Sequence, residues 1–179
     1  MLRGVNLGPH NRIKMDALRS LYQSLRFEDP RTYIQSGNVI FRTSERDVEA
    51  IATKIQDAIQ KKFRFRPDVI LRTISELEHA VAANPFHGRQ DVEPAKLHVT
   101  FLAADPGPAG GAATRSLKSY PEELHLKGRE LYIYFPDGAG KSKLPWSQVE
   151  KLFQTTGTAR NWNSVTKMLE IAQEMDRER

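Results

Sequence analysis

Thr32-Tyr33-Ile34-Gln35-Ser36-Gly37-Asn38-Val39-Ile40-Phe41 sets two β-prone runs on either side of a polar corner. Strand formers flanking Ser-Gly-Asn predict a hairpin over 31–43, because such residues suit a tight reversal of the chain. Upstream, Met15, Leu18, Leu21 and Leu25 recur at spacings of three and four, the stripe of a helix with one buried face. Downstream, Ser44 and Asp47 stand in capping-box positions ahead of Val48, Ile51, Ile55, Ile59 and Phe63, a second amphipathic helix. Residues 67–71 then read as a strand, and Leu2 to Asn6 as a short one. The resulting order, βαββαβ, commonly forms a ferredoxin-like unit with helices on one face of an antiparallel sheet.

Beyond it, Ser75 with Glu78 is a further capping box, opening a helix that Asn84-Pro85 stops. Residues 84–95 are polar and turn-rich, a connection between halves. In 96–103, Leu97, Val99 and Phe101 alternate with His98, Thr100 and Leu102, as a strand requires. Asp105 to Gly111 holds two prolines and three glycines and reads as a surface loop, with a short helix following over 112–119. Glu123–Lys127 and Glu130–Phe135 flank Gly128-Arg129 as a tight hairpin. Two helical pieces close the chain, with Trp146, Val149 and Phe153 inward in the first and Trp162, Val165, Leu169 and Ala172 inward in the second. The expected class is α+β: two subdomains with small antiparallel sheets, βαββαβ over 1–83 and βαββαα over 96–179.

With 179 residues the chain is long enough to bury a core without covalent staples. It contains no cysteine, so disulfides, thiolate metal sites and a cysteine nucleophile are excluded. No segment approaches the roughly 18 apolar residues of a membrane span, and the opening twelve residues lack the apolar run of a signal peptide. A soluble, cytoplasmic protein with no membrane partner is expected. Its formal charge of +5, from 27 basic and 22 acidic residues, permits phosphorylated or nucleic-acid partners without requiring them.

Three stretches together resemble DUF1697, a domain-of-unknown-function family: LRGVNLG at 2–8 followed by Lys14-Met15 and Leu18, TYIQSGNVIF at 32–41, and TARNWNSVTKML at 158–169. NPF at 84–86 and SKL at 142–144 extend the match. The resemblance implies a fold in which two subdomains, each with a small antiparallel sheet, pack together. It implies no activity, cofactor or substrate. Members of that family open several residues ahead of the Leu-Arg-Gly block, so either a misplaced start or a trimmed first strand is expected here.

Three polar blocks are candidate ligand sites. Arg3-Gly4-Val5-Asn6-Leu7-Gly8 empties a strand into a loop, where backbone N–H groups and the Arg3 guanidinium suit an anion. The same glycines also serve a plain turn with positive φ, and Arg3 a plain ion pair. Ser36-Gly37-Asn38, with Gln35, projects from a hairpin corner, where turn geometry alone asks for these residue types. Arg160, Asn161 and Asn163 surround Trp162 at an expected helix start, fit either to hold a phosphate or carboxylate or to cap the helix.

Gly138-Ala139-Gly140-Lys141-Ser142 ends like a phosphate-binding loop, but Phe135 stands where that motif needs its first glycine. A loop with exposed Lys141 and Lys143 is the default. Glu122 and Glu123 point to opposite faces if extended and make no acid–base pair by spacing. The histidines His10, His79, His87, His98 and His125 are scattered, so no metal site or cofactor is expected. The leading expectation is a binding protein for a phosphorylated or nucleic-acid ligand. A small-molecule enzyme with a site between subdomains and a protein-interaction module remain alternatives, and oligomeric state is left open.

Overall fold

In the computed structural model, which describes residues 1–117 and 120–178, the stripe at 15–25 becomes α1 (Met15–Ser24), burying Leu18, Leu21 and Tyr22. The hairpin forms as expected from β1 (Glu28–Tyr33) and β2 (Asn38–Arg42), antiparallel, with Tyr33 opposite Asn38 and Arg31 opposite Ile40. α2 (Val48–Phe63) follows with Ile51, Ile55 and Ile59 buried. Its cap is Asp47 rather than Ser44: the Asp47 carboxylate accepts from the N–H groups of Glu49 and Ala50, both at 3.0 Å.

The expected strands at 2–6 and 67–71 reduce to one antiparallel bridge, Leu2 with Val69. Around it Arg3 N–H donates to Asp68 O at 3.0 Å, Ile70 N–H to Met1 O at 2.9 Å, and Leu2 N–H to Gly37 O at 2.9 Å. Gly4, at φ +68°, turns the chain out of the extended conformation immediately afterwards, so no longer ladder can build. One core holds this part together, with Leu18, Tyr22, Phe27, Ile55 and Ile59 at its centre. Tyr22, Phe27 and Phe41 stack within it at centroid distances of 4.5 to 5.8 Å.

The remaining elements are α3 (Ile74–Ala82), β3 (Leu97–Leu102), α4 (Gly107–Ser116), β4 (Glu123–Lys127), β5 (Glu130–Tyr134), α5 (Trp146–Phe153), β6 (Gly157–Asn161) and α6 (Trp162–Arg177). α3 starts at Ile74, one residue ahead of the expected capping serine. The four strands form one antiparallel sheet in the order β4-β5-β3-β6. Leu102, Leu131 and Ile133 pack with Ala113 of α4 and with Val149 and Phe153 of α5 in a second core. Tyr132 is buried, and its hydroxyl donates to Ala80 O at 2.6 Å, tying β5 to α3.

Two expectations are corrected here. Residues 107–111 are not a loop but the start of α4, which ends at Ser116; the expected end at Lys118–Ser119 lies outside the described residues. Close packing explains Gly110, where a Cβ would stand 2.5 Å from the Pro106 ring and 2.8 Å from the Leu126 side chain. The second correction is β6, whose residues 157–161 pair with β3 and give this half the order βαββαβα. Its buried positions are Thr158 and Arg160, so no apolar alternation announces it.

By contacts the chain divides into a unit of Met1–Ile74 with Met168–Arg179 and a unit of Ser75–Lys167. α6 begins in the second unit and ends in the first, where Met175 O accepts from the Arg42 guanidinium and Glu178 pairs with Arg31. Among the described residues no helix is long and apolar enough to cross a membrane.

Candidate functional site

The register of the second hairpin builds a pocket. Glu123 pairs with Tyr134, so the residues just before β4 and just after β5 come together: Pro121 and Glu122 beside Phe135 and Pro136. The chain then runs through Asp137 and Gly138 and returns with Lys141, Ser142 and Lys143, while Tyr120 closes the other side. The enclosed volume is about 330 Å³, at the small end of ligand-sized pockets.

Glu122 is the unusual member. It is only 7% exposed, its Oε2 is buried, and that oxygen accepts no hydrogen bond. Buried polar atoms nearly always have partners, which makes this orphaned carboxylate oxygen an exception at the pocket's edge. The next residue is the opposite case. Both oxygens of Glu123 accept from Arg89 at 2.8 Å, and His125 Nε2 lies 3.0 Å from one of them. Arg89 also grips Asp91, so its charge is committed to pinning the 84–94 segment onto β4. Lys141 and Lys143 are exposed and make no ion pair among the described residues. The wall behind Phe135 is His98, whose ring meets it edge-on at 5.2 Å. Burial holds the His98 imidazole below its usual pKa, against a smaller opposing effect from the Lys96 backbone.

The blocks singled out in the sequence stand elsewhere. Within the first unit, the segment 2–6 that holds Arg3, Gly4 and Asn6 lies beside the corner that holds Ser36, Gly37 and Asn38, joined through Leu2 and Gln35. Arg3 pairs with Asp68 at 3.1 Å, and Leu2 N–H reaches Gly37 O at 2.9 Å. The Asn6 amide donates to Gln35 O at 2.8 Å and Ile13 O at 3.0 Å, and accepts from Ile13 N–H at 2.9 Å. Asn38 is fully buried, and its amide donates to Ser36 Oγ at 2.8 Å and Tyr33 O at 3.3 Å.

Arg160 lies on β6 rather than at a helix start. It is 7% exposed and donates to Thr158 Oγ1 at 2.7 Å and Ala159 O at 2.8 Å, and burial lowers its pKa to about 10. Asn161 ends β6 and accepts from Asn163 N–H at 3.0 Å, a cap for α6, while its amide donates to Ala95 O at 2.7 Å. None of these nine residues lines the pocket. Three of the five residues in the phosphate-loop-like stretch do: Gly138, Lys141 and Ser142. Glu122 carried no sequence signal, because its burial follows from the β4–β5 register. Among the described residues, no cluster of three or more histidine or acidic side chains could hold a metal ion.

Comparison with known proteins follows the fold. A solved structure of a conserved bacterial protein from Streptococcus pneumoniae is similar at a TM-score of 0.67 and 20% identity, over 96% of each chain. No curated protein matches in sequence. The model of the family "Protein of unknown function (DUF1697)" matches residues 1–132, most of the chain, which therefore belongs to that family.

Proposed function

We propose that this protein binds a small phosphorylated molecule in the pocket between the start of β4 and the segment after β5. The observation that carries the reading is the pocket lining that sets Lys141 and Lys143, both exposed and without an ion pair among the described residues, on either side of Ser142. A ligand that suits this lining carries an anionic group for Lys141 and Lys143, to which the Ser142 hydroxyl can add a donor. Gly138, at φ +86°, lets the backbone turn beside the pocket without a side chain intruding. A volume of about 330 Å³ suits one nucleotide-sized molecule, which favours a small ligand over a nucleic-acid strand.

The test is a thermal-shift titration of the full chain with inorganic phosphate, ribose 5-phosphate, nucleoside monophosphates and a single-stranded oligonucleotide. Wild type and the K141A/K143A double variant are compared. Specific binding raises the midpoint with ligand concentration, because a ligand that binds only the folded state stabilises it by mass action. Midpoint shifts from phosphorylated small molecules, lost in the double variant, support the reading. No shift with any of them, or equal shifts in the variant, would sink it.

A further inference from the structure

Apart from the pocket, we infer that the C-terminal end of α2 and the adjoining start of α1 form a docking surface for the phosphate backbone of duplex nucleic acid. The run Lys61-Lys62-Phe63-Arg64-Phe65-Arg66 closes α2 and leads out of it. Lys61, Lys62 and Arg64 are exposed and make no ion pair among the described residues. Lys62 Nζ donates to Ala17 O at 3.4 Å, which brings this end of α2 beside the first turn of α1. There Lys14 is exposed, likewise without an ion pair among the described residues. Asp57 and Asp16, the acidic residues on these helix ends, are committed to Arg66 and Arg19. Four cations therefore face solvent with no carboxylate paired to them, and together they attract a polyanion more strongly than any one alone.

Arg64 adds a second observation. It ends α2 at φ +68°, its N–H donating to Gln60 O at 3.0 Å, a left-handed position that glycine fills without strain. Lys61 and Lys62 already complement the negative end of the helix dipole, so a third cation kept there despite backbone strain points outward to a ligand.

Phe63 and Phe65 decide between polyanions. Both are partly buried and packed against the first core, so neither stands out as a platform for unstacked bases or as an apolar anchor for a lipid surface. What remains is charge fixed on two helix ends, the chemistry that grips a phosphate backbone without reading its sequence.

The experiment follows the fluorescence anisotropy of labelled DNA and RNA duplexes of about 20 base pairs, and of one matching single strand, titrated with the full chain at about 50 and 200 mM salt. Wild type, K61A/K62A, R64G and K141A/K143A are compared, and phosphatidylcholine vesicles with about 30% phosphatidylserine are tested by co-sedimentation. A duplex should bind wild type at low salt and lose roughly 40- to 150-fold in affinity at the higher salt, the slope of three or four phosphate contacts. K61A/K62A should weaken low-salt binding at least ~5-fold. R64G should weaken it ~2–4-fold while raising the urea midpoint, an opposition that a purely structural arginine would not produce. If K61A/K62A fails to fold by circular dichroism, R64G decides. No duplex binding at low salt, or both variants binding as wild type does, would overturn the inference. So would a larger loss in K141A/K143A than in K61A/K62A, or tighter binding of the single strand or the vesicles than of either duplex.

Discussion

Asn6 and Ile13 are clasped twice, side chain to backbone. The Asn6 amide donates to the Ile13 carbonyl at 3.0 Å and its Oδ1 accepts the Ile13 N–H at 2.9 Å, closing the loop between them. A third bond, to Gln35 O at 2.8 Å, fixes that loop to the hairpin corner. Asn6 also sits at φ +57°, a conformation asparagine tolerates better than most residues.

Asn6→Ala removes all three bonds and adds backbone strain, so a loss of roughly 2–4 kcal/mol in urea unfolding is expected. Asn6→Asp keeps the acceptor and surrenders both donations, and should fall between wild type and alanine. An alanine variant within about 0.5 kcal/mol of wild type would show that the clasp contributes nothing.

Gly37 and Gly128 make a matched contrast. Both have positive φ, +72° and +55°, but a Cβ on Gly37 would stand 2.5 Å from Val5 Cγ2 and 2.8 Å from Leu2 Cβ, whereas one on Gly128 meets nothing within 4 Å. Gly128→Ala should cost only the backbone strain, about 1 kcal/mol. Gly37→Ala adds overpacking against the Leu2 bridge and should cost about 2–4 kcal/mol. Equal losses would mean that the Leu2–Val5 segment moves aside freely.

Ile34 offers a gain. It is β-branched, stands at φ +50° and is 51% exposed, so it bears strain with little burial in return. Ile34→Asn or Ile34→Gly should raise stability by about 0.5–1.5 kcal/mol, read as a higher urea midpoint at unchanged slope. A lower midpoint would place a packing role on the isoleucine side chain.

His98 predicts a pH effect whose sign follows from its depressed pKa. The unfolded chain binds the His98 proton more readily than the folded one, so this residue's contribution is full above the unfolded value of about 6.5 and is lost as pH falls below it. Chemical denaturation at pH 7.5 and 5.5 should show wild type losing more stability than His98→Gln over that interval. A parallel decline in both proteins would assign the acid sensitivity elsewhere.

The sequence made α1, α2, the two hairpins and β3 legible because apolar periodicity and turn residues agreed there. It failed where tertiary packing supplied the reason. The stretch Gly107–Ser116 carries three glycines, poor helix formers, yet it is helical, and Gly110 is needed there because it passes close to Pro106 and Leu126. β6 buries a threonine and an arginine, the reverse of what alternation looks for. The caps Asp47 and Asn161 rest on residue types visible in the chain, though the Ser44–Asp47 spacing points to a helix start three positions ahead of the real one. Glu122 was out of reach, since a glutamate beside a second glutamate reads as surface until the strand register is known.

The passage of α6 from one unit to the other bears on how the chain is made. Residues 168–179 are made after the whole of residues 75–167, yet they belong with residues 1–74, which are made before it. Domains tend to fold as they are synthesised, so the later-made unit has all its residues while the earlier one still lacks its closing segment. Until Met175 and Glu178 arrive, Arg42 and Arg31 on the nascent hairpin wait without those partners. The order of synthesis and the order of completion are therefore opposite, and a premature stop within α6 would harm the N-terminal unit first.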